Sequence, residues 1–276
     1  MLSDHDFLRY SRQIMLPLCG ELGIKTLAKA RVVVIGAGGL ATVVAPYLVG
    51  AGVGYLRLCD DDIVSVSNLP RQWLYSPAHI GQQKVRVMAA QLKALQPAAQ
   101  VEAIPEYADN SNLSRLMSDA DLVLDCSDNM TTRQLVNAYA MDAGVALVSA
   151  AAIGLHAQAA AFQPGLCGPH GNHGCYRCLY PIDSQRAGNC QSEGVLGPMV
   201  GMAGCYQAAL ALRILLGDPN VPWSQLWRLD STLGEHQLLR IQPDPSCSVC
   251  GHVSHSNASS DDSSIPNSGV LNANSN

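Results

Sequence analysis

The sequence predicts an α/β protein: a doubly wound, mostly parallel sheet that carries an antiparallel extension. A β-branched run from Arg31 to Ile35 leads straight into Gly36-Ala37-Gly38-Gly39. Strand-like and helix-like segments then alternate as far as Ala150, which is the pattern of βαβ units around a parallel sheet. After Ala151 strand-like segments occur without a helix between each pair, as antiparallel neighbours require.

Each element has a local reason. Residues 5–30 read as helical and amphipathic, with Phe7, Leu8, Ile14, Leu22 and Leu27 as expected buried positions. Arg31 to Ile35 is a buried strand entering a Gly-rich turn. A helix follows from about Leu40 to Val49, and Pro46 inside it should kink it or remove a hydrogen bond. Tyr55 to Cys59 is the second strand and ends in Asp60-Asp61-Asp62. Lys84 to Leu95 is helical, with Pro97 beyond its end. Val101 to Ile104 is the third strand, Asn112 to Met117 a short helix, and Leu122 to Cys126 the fourth strand. Thr131 to Ala143 is a helix that stops at Gly144, and Val145 to Ala150 is the fifth strand. The extension takes Gln158 to Phe162, Leu226 to Asp230 and His236 to Ile241. Val195 to Leu216 is apolar but interrupted by glycines, Pro198, Gln207 and Arg213, so it reads as a buried helix and its leading loop, not a membrane span. Residues 254–276 hold eight Ser and five Asn and almost no large apolar side chain. The expected organisation is therefore one folded unit over residues 1–253 and a disordered tail over 254–276.

Composition bounds the function. With 48% apolar and 14% charged residues in 276, the chain is far from a disordered composition. Its net charge of -5 argues against a basic nucleic-acid-binding surface. The N-terminus lacks the basic and apolar regions of a signal peptide, so a cytoplasmic protein is expected. Ten cysteines in that setting suggest metal or reactive thiols before disulfides.

Gly36-Ala37-Gly38-Gly39-Leu40-Ala41 matches G-x-G-x-x-G/A between a strand and a helix. Such a turn brings backbone N–H groups to a phosphate at the helix N-terminus, in the Rossmann-like manner. Asp60, 24 residues after Gly36, ends the next strand, where a carboxylate can accept from ribose hydroxyls. The motif alone does not separate ATP from NAD. Ser67, Asn68, Arg71 and Lys84 weigh toward ATP, because an enzyme that attacks the α-phosphate needs cations to neutralise transition-state charge. Asp128, in Asp125-Cys126-Ser127-Asp128-Asn129, could hold Mg²⁺ bridging phosphates. The plainer reading of Asp128 or Asn129 is an N-cap for the following helix.

Cys175-x-x-Cys178 and Cys247-x-x-Cys250 are two knuckles whose four thiolates fit a tetrahedral structural Zn²⁺. A redox dithiol would explain one pair and leave the other idle. His170, His173 and His252 lie close enough to compete as ligands. Cys190 stands apart in the polar, Gly-flanked stretch Gly188 to Gly194, which suits a reactive thiol or an inert loop cysteine. Cys19, Cys59, Cys126, Cys167 and Cys205 have no such setting and read as structural.

Together these motifs resemble the ThiF/MoeB/HesA family, bacterial relatives of ubiquitin-activating enzymes. The matching elements run in the family's order from Arg9-Tyr10-Ser11-Arg12-Gln13 through the Gly loop, Asp60-Asp61-Asp62, Ser67 to Gln72, Gly81 to Lys84 and Asp125 to Asn129 to both knuckles. The opening residues from Asp4 and the stretch from Cys178 to Cys190 look most like the ThiF branch, which acts on the ThiS-like sulfur carrier of thiazole and thiamine synthesis. No rhodanese-like domain is expected after Gly251.

The resemblance implies ATP-dependent adenylation of the carrier's C-terminal Gly-Gly carboxylate, pyrophosphate release and later thiocarboxylate formation. A sulfurtransferase or cysteine desulfurase would donate the sulfur. It places Gly36, Gly38, Gly39, Asp60, Ser67, Asn68, Arg71, Lys84, Asp128 and Asn129 around MgATP. It makes Cys190 the thiol that links to the carrier and Arg12 an arginine reaching across a homodimer. Two departures bear on the pocket: Ala41 at the third glycine position and Pro46 in the following helix. The alternatives are the same chemistry on the molybdopterin synthase small subunit, an NAD-dependent oxidoreductase with structural zinc, or an inactive zinc-dependent interaction module. The oxidoreductase reading leaves Arg12, Arg71, Lys84 and Asp128 without a shared purpose.

Overall fold

The computed structural model describes residues 2–168, 171–181 and 194–251. Three short helices, α1 (Asp4–Arg9), α2 (Ser11–Ile14) and α3 (Gly20–Lys29), lead to strand β1 (Arg31–Ile35). Helix α4 (Ala41–Ala51), β2 (Tyr55–Cys59), α5 (Lys84–Leu95) and β3 (Gln100–Ile104) follow. Then come α6 (Leu113–Met117), β4 (Leu122–Asp125), α7 (Met130–Asp142) and β5 (Ala146–Ile153). The extension comprises β6 (His156–Phe162), α8 (Tyr176–Leu179), α9 (Gly197–Leu215), β7 (Gln225–Asp230) and β8 (Glu235–Arg240).

All the strands form one sheet in the order β3-β2-β1-β4-β5-β6-β7-β8. The first five pair in parallel and the last three antiparallel, as the sequence pattern implies. Alternate residues of β1 serve two cores. Val32 and Val34 pack on the side of α4, α5 and α9, and Val33 and Ile35 on the side of α6, α7 and the cysteine knuckles. Helix α9 is long and apolar enough to cross a membrane by length and composition, but one face is built into the core. Met199, Val200, Ala203 and Leu210 are buried there, and Gln207 donates to the carbonyls of Asp125 and Val148 at 2.9 and 3.0 Å.

The N-terminal expectation needs correction. Residues 5–30 are three helices, interrupted at Tyr10 and between Met15 and Cys19, not one continuous amphipathic stretch. Each break interrupts the helical period, so a pattern read as one continuous helix does not give which side chains face inward. Tyr10, Cys19, Ile24 and Leu27 are buried, whereas Phe7, Leu8 and Leu22 are 49%, 75% and 78% exposed. Cys205, expected to be structural, is exposed on α9. Helix α8 lies within the first knuckle and has no signal long enough to show in the sequence. Pro46 lies inside α4, which runs unbroken from Ala41 to Ala51.

Candidate active site

The order of the sheet reverses between β1 and β4, and ligands bind at such a switch point beside the strands' C-terminal ends. A cavity of about 940 Å³ opens there. Its floor begins at the turn after β1. Gly36 has φ +93, and a Cβ on it would meet the Cys126 carbonyl at 2.7 Å. Gly39 is packed just as closely, since a Cβ would lie 2.6 Å from Val200 and 3.1 Å from the Arg71 carbonyl. At the third position of the motif the methyl of Ala41 is fully buried within the α4 core, so this departure from glycine is absorbed.

Asp60 is fixed at the end of β2. It accepts from the amides of Ala37 at 2.6 Å and Asp62 at 2.8 Å. Burial is the main influence on its carboxyl and raises its pKa, with the Ala37 amide opposing. Lys84 opens α5 with only 5% of its surface exposed, its Nζ 2.7 Å from Asp62 Oδ2. The loop between carries Asn68, whose Oδ1 accepts from the Ser65 amide at 3.0 Å and closes a single turn. Arg71 donates to the Ser67 carbonyl at 2.9 Å. Ser67 lies outside the cavity lining, whereas Asn68, Arg71, Lys84, Asp128 and Asn129 are within it. Asn129 is the N-cap of α7, accepting from Thr132 at 2.8 Å, so the capping role falls to it and not to Asp128.

Among the lining residues to which the sequence reading gave no role of their own are Gln72, which it named only within the Ser67 to Gln72 motif, and Arg133. Gln72 is 4% exposed, and its buried Oε1 has no hydrogen-bond partner. Such an atom is costly unless a ligand supplies a donor. Arg133 is buried against Asp125, with Nη1 3.2 Å from Oδ2, and Asp125 also accepts from the Ser127 and Ser149 hydroxyls at 2.6 Å each. Arg133 donates to the Ala150 carbonyl at 2.8 Å and to that of Ser127. The network fixes the backbone one residue before Asp128. A charged residue on the inward face of a helix was the available signal, because such a charge requires a partner.

The Gly turn, Asp60 and the cations of Arg71 and Lys84 thus converge on one cavity. A family model described as the ThiF family matches residues 10–249. The chain belongs to the ThiF family. It is 39% identical over 250 residues to the sulfur carrier protein ThiS adenylyltransferase of Escherichia coli K12, covering 91% of this chain and 97% of that one. To the molybdopterin-synthase adenylyltransferase of the same organism it is 37% identical over 252 residues, covering 91% and 98%. A crystal structure of E. coli MccB with ATP shares the fold at a TM-score of 0.74 and 24% identity, over 88% of this chain and 74% of that one.

A second constellation of this ThiF-family chain packs against α7, whose Asn137 Nδ2 lies 3.7 Å from Cys175 Sγ. The Sγ atoms of Cys175, Cys178, Cys247 and Cys250 lie within 4.8 Å of one another. Cys175 and Cys247 are 3.7 Å apart, and Cys178 and Cys250 are 3.4 Å apart. Tetrahedral zinc with Zn–S bonds of about 2.3 Å needs S···S edges of roughly 3.8 Å, so the set fits. Hydrogen bonds from Cys175 and Cys250 and from the Asp244 amide hold the Cys178 thiol pKa well below its usual value. His173 is turned to the Gly171 carbonyl at 2.8 Å and is not part of the cluster. His170, His252, Cys190 and the tail over 254–276 lie outside the described residues. Arg12 is exposed on α2 and does not line its own chain's cavity.

Proposed function

We propose that this ThiF-family chain is an adenylyltransferase that activates the C-terminal Gly-Gly carboxylate of a ThiS-like sulfur carrier with MgATP. The observation that carries the reading is the convergence of Lys84, Arg71, Asp128 and the Gly turn on one cavity. Hydride transfer has no need of such cations, whereas joining a carboxylate to a triphosphate does. In the reaction a carrier carboxylate oxygen bonds to the α-phosphorus. The α–β bridging bond breaks, and its electron pair leaves with pyrophosphate. Asp60 would accept the ribose hydroxyls, and Gln72 offers its orphaned Oε1 to a nucleotide donor. Arg71 and Lys84 would stabilise charge on the reacting phosphate. Mg²⁺, held by Asp128, would supply further neutralisation of the phosphates. The persulfide of a sulfurtransferase or cysteine desulfurase would then attack the acyl-adenylate carbonyl and displace AMP, forming an acyl disulfide. The Cys190 thiol would take over that link by disulfide exchange, releasing the donor's thiol, and a further thiol would reduce it to free the thiocarboxylate.

ATP–pyrophosphate exchange tests this. Exchange should depend on the thiazole carrier and persist in Cys190→Ser, which should lose the covalent adduct. Exchange at full speed with no carrier would contradict the mechanism. The second reading replaces the carrier with the molybdopterin synthase small subunit, favoured by the nearly equal identity to the enzyme acting in that pathway. Exchange supported by that carrier alone would select it.

The same reading makes the protein a cytoplasmic homodimer. Phe7, Leu8, Met15, Leu16 and Leu22 are exposed on either side of Arg12 in the chain, and exposed apolar side chains of this kind suit contact with a second copy. Arg12 would then reach the partner's ATP, as an arginine finger in trans does. Arg12→Ala and Asp128→Ala homodimers should each be nearly inactive. An equal mixture under conditions shown to exchange subunits should regain about a quarter of wild-type activity, because half the dimers carry one intact site. No recovery would place Arg12 within its own chain.

The four-cysteine cluster would hold one structural zinc per chain. Cys175→Ser should lose metal and stability together, since zinc-binding energy here is folding energy. Elemental analysis that finds a full zinc complement in the Cys175→Ser/Cys178→Ser variant would refute the assignment.

A further inference from the structure

The cavity does not end at the nucleotide loop. It continues across the antiparallel extension, where Gln158 and Arg228 face it from neighbouring strands. Gln158 on β6 pairs in register with Ala151 on β5 and Arg228 on β7. From the other side, Tyr180 reaches across, with its hydroxyl 2.7 Å from Gln158 Nε2 and 3.0 Å from Oε1. Tyr180 directly follows α8, the helix inside the first cysteine knuckle. Its carbonyl accepts from Gln134 at 2.6 Å, and its ring lies 5.2 Å from that of Tyr176. Both partners of the contact are only partly buried, so packing of the core does not demand it.

Resting on the adenylation reading above, we propose that Gln158 and Tyr180 form a clamp that positions the main chain of the carrier's C-terminal tail. A peptide that enters over β7 must cross β6 before its carboxylate reaches the end of β4, where the Asp128 loop begins. Two strand spacings are roughly 10 Å, or about three extended residues at about 3.4 Å each. The third residue from the carrier's C-terminus therefore meets Gln158. A carboxamide has one donor end and one acceptor end, which match the C=O and N–H of a peptide. Without the tail, the Tyr180 hydroxyl occupies both ends. With it, Gln158 would turn to the peptide while the Tyr180 ring bounds the channel above. These are positioning residues, since neither touches the reacting atoms.

Carrier-dependent exchange by the full-length chain tests the clamp. Gln158→Ala should raise KM for the carrier about tenfold, whereas Tyr180→Phe, which keeps the ring and removes the hydroxyl that competes with the peptide for Gln158, should not raise it. KM for ATP, zinc content and melting temperature should be unchanged in both. A carrier with proline at its third-last position, which lacks that N–H, should lose as much against wild type but little more against Gln158→Ala. A carrier KM unchanged in Gln158→Ala, or raised in Tyr180→Phe, would overturn the clamp and leave adenylation standing. So would an equal rise in the KM of ATP and carrier, which marks a structural role. Absence of carrier-dependent exchange in the wild-type protein would overturn both readings.

Discussion

Replacing Arg133 with Met should lower the unfolding free energy by about 3–5 kcal/mol, the usual cost of leaving a buried charge without its partner. Asp125 is 1% exposed and Arg133 8% exposed, so water cannot take over for either. Without Arg133 the carboxylate keeps its bonds from Ser127 and Ser149 but loses its counter-charge, and the carbonyls of Ser127 and Ala150 lose a donor. Urea unfolding of wild type and variant measures the loss. The Asp125→Asn/Arg133→Met double variant should be destabilised by clearly less than the sum of the single changes, because the two groups are in contact. A single-variant loss below about 1 kcal/mol would show that the network contributes little. Pyrophosphate exchange should fall with stability, since Ser127 precedes Asp128 in the same loop.

Arg71→Ala and Lys84→Met should each reduce the rate of adenylation about a hundredfold, near 3 kcal/mol, with a smaller change in ATP affinity. Lys84 is nearly buried, so its charge is screened less than that of a surface lysine. Its partner Asp62 has 68% of its side chain exposed, so the carboxylate left behind can be solvated and the fold should survive. Methionine keeps most of the buried stem of the lysine. Arg71 is tethered to the Ser67 carbonyl by one bond and is free to pivot toward phosphate. Steady-state kinetics against ATP at saturating carrier separates the effects. If KM for ATP rises a hundredfold while kcat holds, these cations serve ground-state binding and the assigned role is wrong.

The parallel half of the sheet, the glycine turn after β1 and the change to antiparallel pairing were legible in the chain's local patterns. Helix α5 was legible to the residue, from Lys84 to Leu95. These features are local: an apolar period, a proline or glycine at an end, a turn that only glycine can make. Asp60, Asn68, Arg71, Lys84 and Asp128 were each singled out from a local motif, and all five line one cavity. Which side chains of the N-terminal helices are buried became clear from the folded structure, because each break there interrupts the periodicity that the sequence displays. It brought the two knuckles, which the sequence already paired, to thiol separations of 3.7 and 3.4 Å across 72 residues. It alone revealed the partners of Arg133, and it set Tyr180 against Gln158 across 22 residues. Such contacts depend on the path of the chain between them, and no local pattern of side chains encodes that path.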